Sequence, residues 1–310
     1  MALSPTYDVV VLGGGLAGLT AALFAARYGH PTLVLEGGIP GGHLVNVERI
    51  EDFPGFLDGV AGFDLCPVVQ EQAANAGAEF RMANATALGR AEPNWEVEST
   101  DGVSVTRTVI IAVGSSPRRL GIAGEAELLG RGISHCASCD GPLLRGRPVG
   151  VVGGGDSALQ EALTLANFAS RVLVFDKAEQ LTAQHVYRER AMRCPSIELR
   201  PATRVEQILG NGRVSAVQVR ELATGRQSVV EVAGLFPYVG LEPNTGFLVG
   251  TLRLDQSAHI PTDLWLRTEL PGVFAAGDVR QDSASQAITS AGDGATAAIA
   301  AHRYLEAPNR

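Results

Sequence analysis

Basic runs, an uninterrupted membrane span and a cysteine framework are what this 310-residue sequence lacks. Lys177 is its sole lysine; the other basic residues are arginines, which reflects genome composition rather than function. Lys and Arg total 25 against 33 Asp and Glu, for a net charge of −8. An acidic chain with no basic cluster is poorly suited to nucleic acid or to an anionic membrane. The four cysteines, Cys66, Cys136, Cys139 and Cys194, are too few to staple a secreted scaffold of this length. The most hydrophobic stretch, Val9 to Ala26, is uncharged and 18 residues long, near the threshold for a membrane span. Gly13, Gly14, Gly15 and Gly18 interrupt it, Asp8 precedes it, and no basic residue lies ahead of it as in a signal peptide. The expectation is a soluble cytoplasmic protein that engages neither membrane nor nucleic acid.

What is present is apolar material for a sizeable core, 45% hydrophobic against 19% charged, which excludes a disordered chain. At roughly 150 residues per domain, the length suggests about two domains. Tyr7 to Leu12 reads as a strand buried on both faces. A glycine turn, Gly13 to Gly18, leads into a helix over Leu19 to Tyr28, closed by Gly29. A second strand, Thr32 to Leu35, ends at Glu36. The pattern recurs as a strand over Pro148 to Val152, a turn over Gly153 to Ala158, a helix over Leu159 to Ala169 and a strand over Arg171 to Phe175, ending at Asp176. In both copies the first glycine and the acidic residue are 23 positions apart, and the copies are 140 apart. Two nucleotide-binding folds in one chain follow. Trp95 to Ser99 and Val103 to Val113 read as strands, and Val205 to Ile208, Val214 to Leu222 and Ser228 to Val232 as an antiparallel set with turns at Asn211-Gly212 and Thr224-Gly225. Gln286 to Tyr304 is helical in period. The crossovers between domains are placed near Pro117 and Pro243.

The first turn, Gly13-Gly14-Gly15-Leu16-Ala17-Gly18, fits GxGxxG between strand and helix. Gly13 permits the turn, Gly15 lets a pyrophosphate approach the backbone, and Gly18 lets helix and strand pack closely; the helix N-terminus faces the phosphates. Glu36 is placed for ribose hydroxyls. The second turn, Gly153-Gly154-Gly155-Asp156-Ser157-Ala158, fits the GxGxxA variant. Between the folds lies Cys136-Ala137-Ser138-Cys139-Asp140. A dithiol at this spacing can close into a disulfide, and attack by one sulfur needs a lowered pKa. Asp140 is a candidate proton donor or acceptor for the leaving thiolate, and His135 could tune the pair. Zinc and an inert buried pair are the alternatives. A tetrahedral zinc site needs further ligands, and neither a second cysteine pair nor an HxxxH spacing is present, so no metal is expected. Cys66 and Cys194 read as ordinary thiols.

The order of nucleotide fold, CxxC and second nucleotide fold resembles the low-molecular-weight thioredoxin reductases, flavin-dependent pyridine nucleotide disulphide oxidoreductases. The resemblance covers nearly the whole chain. Pro40-Gly41-Gly42-His43-Leu44 is similar to the family's PGGQL, Glu51-Asp52-Phe53-Pro54-Gly55 to ENFPG and Ala112-Val113-Gly114-Ser115 to ATGA. Gly240 to Thr245, Val273 to Val279, and Gln286-Ala287-Ile288-Thr289 with Ala291 to Gly294 resemble its later motifs. The resemblance implies an α/β fold of two Rossmann-like dinucleotide-binding domains, the second inserted into the first. Residues 1–116 and 247–310 would bind FAD; residues 117–246 would carry the CxxC pair and the second nucleotide fold, and rotate. FAD would lie by Gly13, Gly15, Gly18, Glu36, Gly41, Gly42, His43, Leu44, Asp52, Ala112, Gly114, Gly277, Asp278, Gln286, Ala287 and Ile288. The dipole of the last helix would face the flavin pyrimidine edge. A homodimer and a thioredoxin-like partner, or a small dithiol or disulfide, are likewise implied. By analogy Cys139 is nearer the flavin and Cys136 attacks the partner; the sequence is equally compatible with the reverse.

The chain departs from the family where NADPH-using members carry H-R-R and a later arginine. Those positions are Asp176, Lys177, Ala178 and Thr182. A carboxylate repels a 2′-phosphate by about 4 kcal/mol at about 4 Å and an effective dielectric of 20, and suits a free 2′-hydroxyl. The second site, Gly153, Gly155, Asp156, Ser157, Ala158 and Asp176, is therefore expected to take NADH or nothing, and NADPH is disfavoured. Ser285 stands where the family has an arginine, and His43 replaces a glutamine. The leading reading is a disulfide reductase fed by NADH, ferredoxin or an unknown donor. The alternative enzyme is an oxygen-dependent oxidase of a small dithiol; a flavin-bearing redox sensor is a third reading.

Overall fold

The computed structural model describes residues 6–307, which divide into two compact units, residues 6–116 with 242–307 and residues 117–241. Along the chain the first unit opens with β1 (Tyr7–Leu12), α1 (Leu16–Arg27), β2 (Thr32–Glu36), α2 (Gly62–Asn75), β3 (Glu79–Met82), β4 (Ala85–Ala91), β5 (Asn94–Ser99) and β6 (Gly102–Ile111). β7 (Ser115–Pro117) leads out of it. The second unit holds α3 (Glu125–Leu128), α4 (Ala137–Asp140), β8 (Pro148–Val152), α5 (Asp156–Leu165), β9 (Arg171–Phe175), α6 (His185–Arg193) and β10 (Ile197–Arg200). It continues with β11 (Thr203–Gly210), β12 (Val214–Glu221), β13 (Gln227–Glu231) and β14 (Leu235–Pro237). β15 (Leu241–Pro243) pairs with β7, and β16 (Val273–Ala275) and α7 (Ala287–Glu306) finish the first unit.

The sheet of the first unit runs β3-β2-β1-β6-β5-β4, with β16 also on β6. β1 pairs in parallel with β2 and β6 because it has hydrophobic cover on both faces. Val9 and Val11 face α1 and α7, while Val10 and Leu12 face the cluster that holds Trp95 and Leu248. Each of these fully buried side chains contributes about 1.5–3 kcal/mol of burial. β6 is long enough to pair twice along one edge, with β5 antiparallel from Gly102 to Thr106 and with β16 parallel from Val109 to Ile111. The return crossing falls at Glu242 rather than at residue 247, since Thr245 and Leu248 are already buried in the first unit.

The second unit repeats the plan with a parallel sheet β10-β9-β8-β14, and adds the antiparallel β11-β12-β13. Both repeat helices start earlier than the sequence predicts. α1 begins at Leu16 and α5 at Asp156, because Gly15 and Gly155, both extended, serve as N-caps. Gly18 thus lies within α1, and a Cβ there would meet the Gly13 carbonyl oxygen at 1.9 Å. α5 stops at Leu165, short of Ala169. The hairpin β11-β12 and strand β13 follow the turns read from Asn211-Gly212 and Thr224-Gly225. α2 and α6 carry no strong apolar period, and α2 contains Pro67, so packing rather than pattern sets them.

Candidate functional site

In the first unit, five segments meet around the first glycine turn. Gly13, at φ +100°, has no room for a side chain: a Cβ would stand 2.4 Å from the Ala112 carbonyl oxygen. Gly15 differs, with nothing within 4 Å of an added Cβ. It caps α1 without any side-chain hydrogen bond, so the positive end of a helix opens onto free space. Glu36, at the end of β2, accepts the Gly14 N–H at 2.6 Å and the Gly38 N–H at 2.7 Å. Each carboxylate oxygen keeps a lone pair for another donor. Open space before an uncapped helix start, beside a fixed carboxylate, fits the pyrophosphate and ribose of a bound dinucleotide such as FAD.

The Gly41-Gly42-His43-Leu44 segment docks on this turn through the Gly41 N–H, which donates to the Gly14 carbonyl at 2.7 Å. Gly41 has φ +114°, and the buried Cys66 side chain fills the place of its Cβ. His43 Nε2 lies 2.7 Å from the Ser115 carbonyl oxygen, so that nitrogen carries the proton and donates. Gly114 accepts from the Asn244 N–H at 3.1 Å, fixing the strand end that follows Ala112. Leu44 joins Leu16, Leu65 and Ala287 in a small cluster, so it is a packing residue as well as a lining one.

The Gly277-Asp278 turn is held by the start of α7. Asp293 accepts the Gly277 N–H at 3.1 Å and takes Arg280 on both carboxylate oxygens, at 2.5 and 3.1 Å. The Ser290 hydroxyl donates to Asp278 at 3.3 Å. Burial pushes the Asp278 carboxyl above its ordinary value, and the Ser290 hydrogen bond and the nearby His43 offset part of that. Gln286 caps α7 with Thr289 as the reciprocal partner; Ala287 is half-buried and Ile288 exposed. Asp52 is exposed in the loop closed by the Ile50–Val60 bridge. Sequence analysis placed Asp293 only within the closing motif and missed Arg280 and Ser290, because an ion pair spanning 13 residues leaves no periodic signal.

In the second unit the glycine turn is built alike. A Cβ on Gly153, at φ +129°, would meet the Tyr238 carbonyl at 2.2 Å, whereas one on Gly155 would find only Thr182 Oγ1, at 3.9 Å. Ala158 is fully buried in the α5–β8 core, and Ser157 is exposed. The Asp156 carboxylate is engaged by Gln184, whose backbone N–H donates at 2.7 Å and side-chain Nε2 at 3.2 Å. Asp176 lies against the turn: its Oδ2 would be 1.8 Å from a Cβ on Gly154. Its other oxygen accepts the Ala178 N–H at 3.2 Å. Lys177 is exposed.

The cysteines form a closed disulfide, Cys136–Cys139, with 5.3 Å between their Cα atoms. Cys136 is the N-cap of α4: its sulfur accepts the Cys139 N–H at 3.2 Å. A disulfide sulfur bears no hydrogen, so the Ser138 hydroxyl, 3.4 Å away, donates to it too. Cys136 is half-buried and Cys139 exposed. The Asp140 N–H donates to the Cys136 carbonyl at 3.1 Å, and the Asp140 carboxylate has no partner among the described residues. Cys66 is buried and Cys194 half-buried, and both are free thiols. Among the described residues no helix is long and apolar enough to cross a membrane.

Residues 7–294 match the family described as pyridine nucleotide-disulphide oxidoreductase. The chain is 39% identical to a thioredoxin reductase of Listeria innocua over 301 residues, covering 97% of this chain and 94% of the relative. A crystal structure of Lactococcus lactis thioredoxin reductase superposes with a TM-score of 0.95 at 36% identity, covering 97% of this chain and 99% of that one. Thioredoxin reductase from T. acidophilum superposes with a TM-score of 0.94 at 31% identity, covering 97% and 99%. With its two glycine turns and its closed CxxC disulfide, the chain belongs to the pyridine nucleotide-disulphide oxidoreductase family, as a flavin-dependent disulfide oxidoreductase of the thioredoxin reductase type.

Proposed function

We propose that this enzyme reduces the disulfide of a thioredoxin-like protein with electrons from a donor other than NADPH, NADH first among them. The observation that carries the donor reading is the Asp176 carboxylate seated against Gly154 at the second glycine turn. A negative group there favours a free 2′-hydroxyl and repels a 2′-phosphate. A single exposed Lys177 is the sole cation in the segment that follows β9, where the family carries several.

FAD, when bound, stores the electron pair between donor and dithiol. Gly13, Gly15, Gly18 and Glu36 would hold its adenosine and pyrophosphate. Gly41, Gly42, His43, Leu44, Asp52, Ala112, Gly114, Gly277, Asp278, Gln286, Ala287 and Ile288 would line the remainder. After reduction, the Cys136 thiolate attacks the partner's disulfide, forms a mixed disulfide and releases one partner thiolate. The Cys139 thiolate then attacks the Cys136 sulfur, re-forms the Cys136–Cys139 bond and releases the second. Two electrons pass to the partner, and Asp140 donates a proton to a leaving thiolate. The Cys139 N–H and the Ser138 hydroxyl, both directed at Cys136 Sγ, support Cys136 as the attacking thiol, since donors to a sulfur stabilise its thiolate. The working form is proposed to be a homodimer.

Anaerobic titration of the purified flavoprotein tests the reading. NADH should bleach the flavin rapidly and NADPH should not, and the reduced enzyme should turn over thioredoxin. Faster bleaching by NADPH would overturn the donor assignment. Oxygen-driven oxidation of a small dithiol, with no thioredoxin turnover, would replace the reductase by an oxidase.

A further inference from the structure

The CxxC turn is gripped from beneath by a helix that sequence reading assigned only to nucleotide binding. Glu161, on α5, accepts the Ala137 N–H through Oε2 at 3.0 Å. The same oxygen accepts the Tyr238 hydroxyl at 3.4 Å. Ala137 is fully buried and its amide is the first of α4. Burial, and then the Glu161 charge, push the Tyr238 phenol far above its ordinary value, so it stays a proton donor. Just before Tyr238, the Pro237 carbonyl lies 3.0 Å from His135 Nδ1, which must therefore carry the proton. Two elements distant in sequence thus converge on the backbone that carries both sulfurs. One of them brings a carboxylate to the residue next to Cys136.

The geometry points to Glu161 as a positioning residue for the Cys136–Cys139 couple. Its hydrogen bond orients the Ala137 amide, and with it the Cys136 cap, while its charge opposes the thiolate that the Cys139 N–H and Ser138 hydroxyl favour. The titratable groups in or against the turn are His135, Asp140, Glu161 and Tyr238, besides the two thiols. The inference rests on reading Cys136–Cys139 as the working disulfide.

Glu161→Gln separates the two roles, because it keeps an acceptor for the Ala137 N–H and removes the charge. The intact holoenzyme is reduced and desalted, and alkylation of Cys136 by iodoacetamide is followed against pH by peptide mass. The midpoint of the Glu161→Gln profile should fall by about one pH unit, because removing a neighbouring like charge favours the thiolate. That is about tenfold in the thiolate equilibrium, or about 30 mV in potential above the midpoint. Thioredoxin turnover should survive in Glu161→Gln and drop at least tenfold in Glu161→Ala, which frees the buried amide. Glu189→Gln, on α6 in the same unit, should move neither reading. A Glu161→Gln profile that superposes on wild type overturns the proposal, as does an equal shift in Glu189→Gln. If Glu161→Ala does not fold, the Glu161→Gln profile decides. If the profile shifts as expected while the wild-type dithiol never exchanges with thioredoxin, the parent reading fails and the role of Glu161 stands.

Discussion

Gly15→Ala and Gly18→Ala put the same methyl group at two glycines of one motif, and the structure assigns them different effects. A Cβ on Gly15 meets no protein atom within 4 Å, and its backbone, at φ −66° and ψ 176°, suits any residue. The fold should lose about 0.5–1 kcal/mol at most, the difference between glycine and alanine at an N-cap. The methyl group nevertheless occupies the open space before the start of α1, where phosphate oxygens would approach. Displacing a pyrophosphate from two charge-assisted amide bonds of about 1.5–3 kcal/mol each costs about 3–6 kcal/mol, or about 10²- to 10⁴-fold in Kd. Gly18→Ala drives its Cβ to 1.9 Å from the Gly13 carbonyl oxygen, with Val11 Cγ1 at 3.3 Å, so α1 must move off β1. Overpacking of that kind costs about 1–3 kcal/mol of stability or more. The assay is FAD titration of each apoprotein by flavin fluorescence, beside thermal melts without FAD. Gly15→Ala should lower its apo Tm by no more than a few degrees and lose FAD affinity; Gly18→Ala should lose both. FAD affinity of Gly15→Ala within threefold of wild type would refute the reasoning, because the open space would then not be where phosphate binds.

Three further outcomes follow from the same geometry. Asp176→Ser should raise the NADPH-to-NADH preference about tenfold: repulsion of about 4 kcal/mol at about 4 Å falls to about 1.4 kcal/mol once solvent screens a half-exposed group. Equal preference in variant and wild type, read by stopped-flow flavin reduction, would remove Asp176 from the argument. Burial holds the Asp278 carboxyl above its ordinary value, so its stabilising contribution is whole at acid pH and is lost as pH rises through the folded-state value. Asp278→Asn should therefore raise the apo Tm more at pH 7 than at pH 4, and an equal gain at both would contradict the burial argument. Burial also pushes the Cys66 thiol up to about 11. With the disulfide closed, an aromatic disulfide reagent at pH 8 should label Cys194 in the native protein and Cys66 only after denaturant; rapid native labelling of Cys66 would show that its pocket opens.

Much of this protein was legible as pattern. β1, β8 and β9 have the predicted bounds, because each is a short, largely apolar run that stops at a glycine turn or at an acidic residue. The helix starts were misplaced by three residues each, since glycine reads as turn, whereas Gly15 and Gly155 act as caps and Gly18 tolerates the helix for the sake of close packing. α2, with Pro67 inside it, and β4, with Gly89, have weak intrinsic preference and take their form from neighbours.

The sequence by itself determined the chemistry. Residue type and spacing place two glycine turns, a dithiol and acidic residues at the ends of β2 and β9, because glycine conformation and sulfur reactivity are local properties. Only tertiary structure decided what surrounds them. Arg280 clamps Asp293 behind the Gly277 turn, Asn244 fixes the strand end at Gly114, and Glu161 with Tyr238 reaches the CxxC backbone. Those contacts join residues that are up to 130 positions apart. Only the folded chain brings these partners together, so no local pattern encodes them.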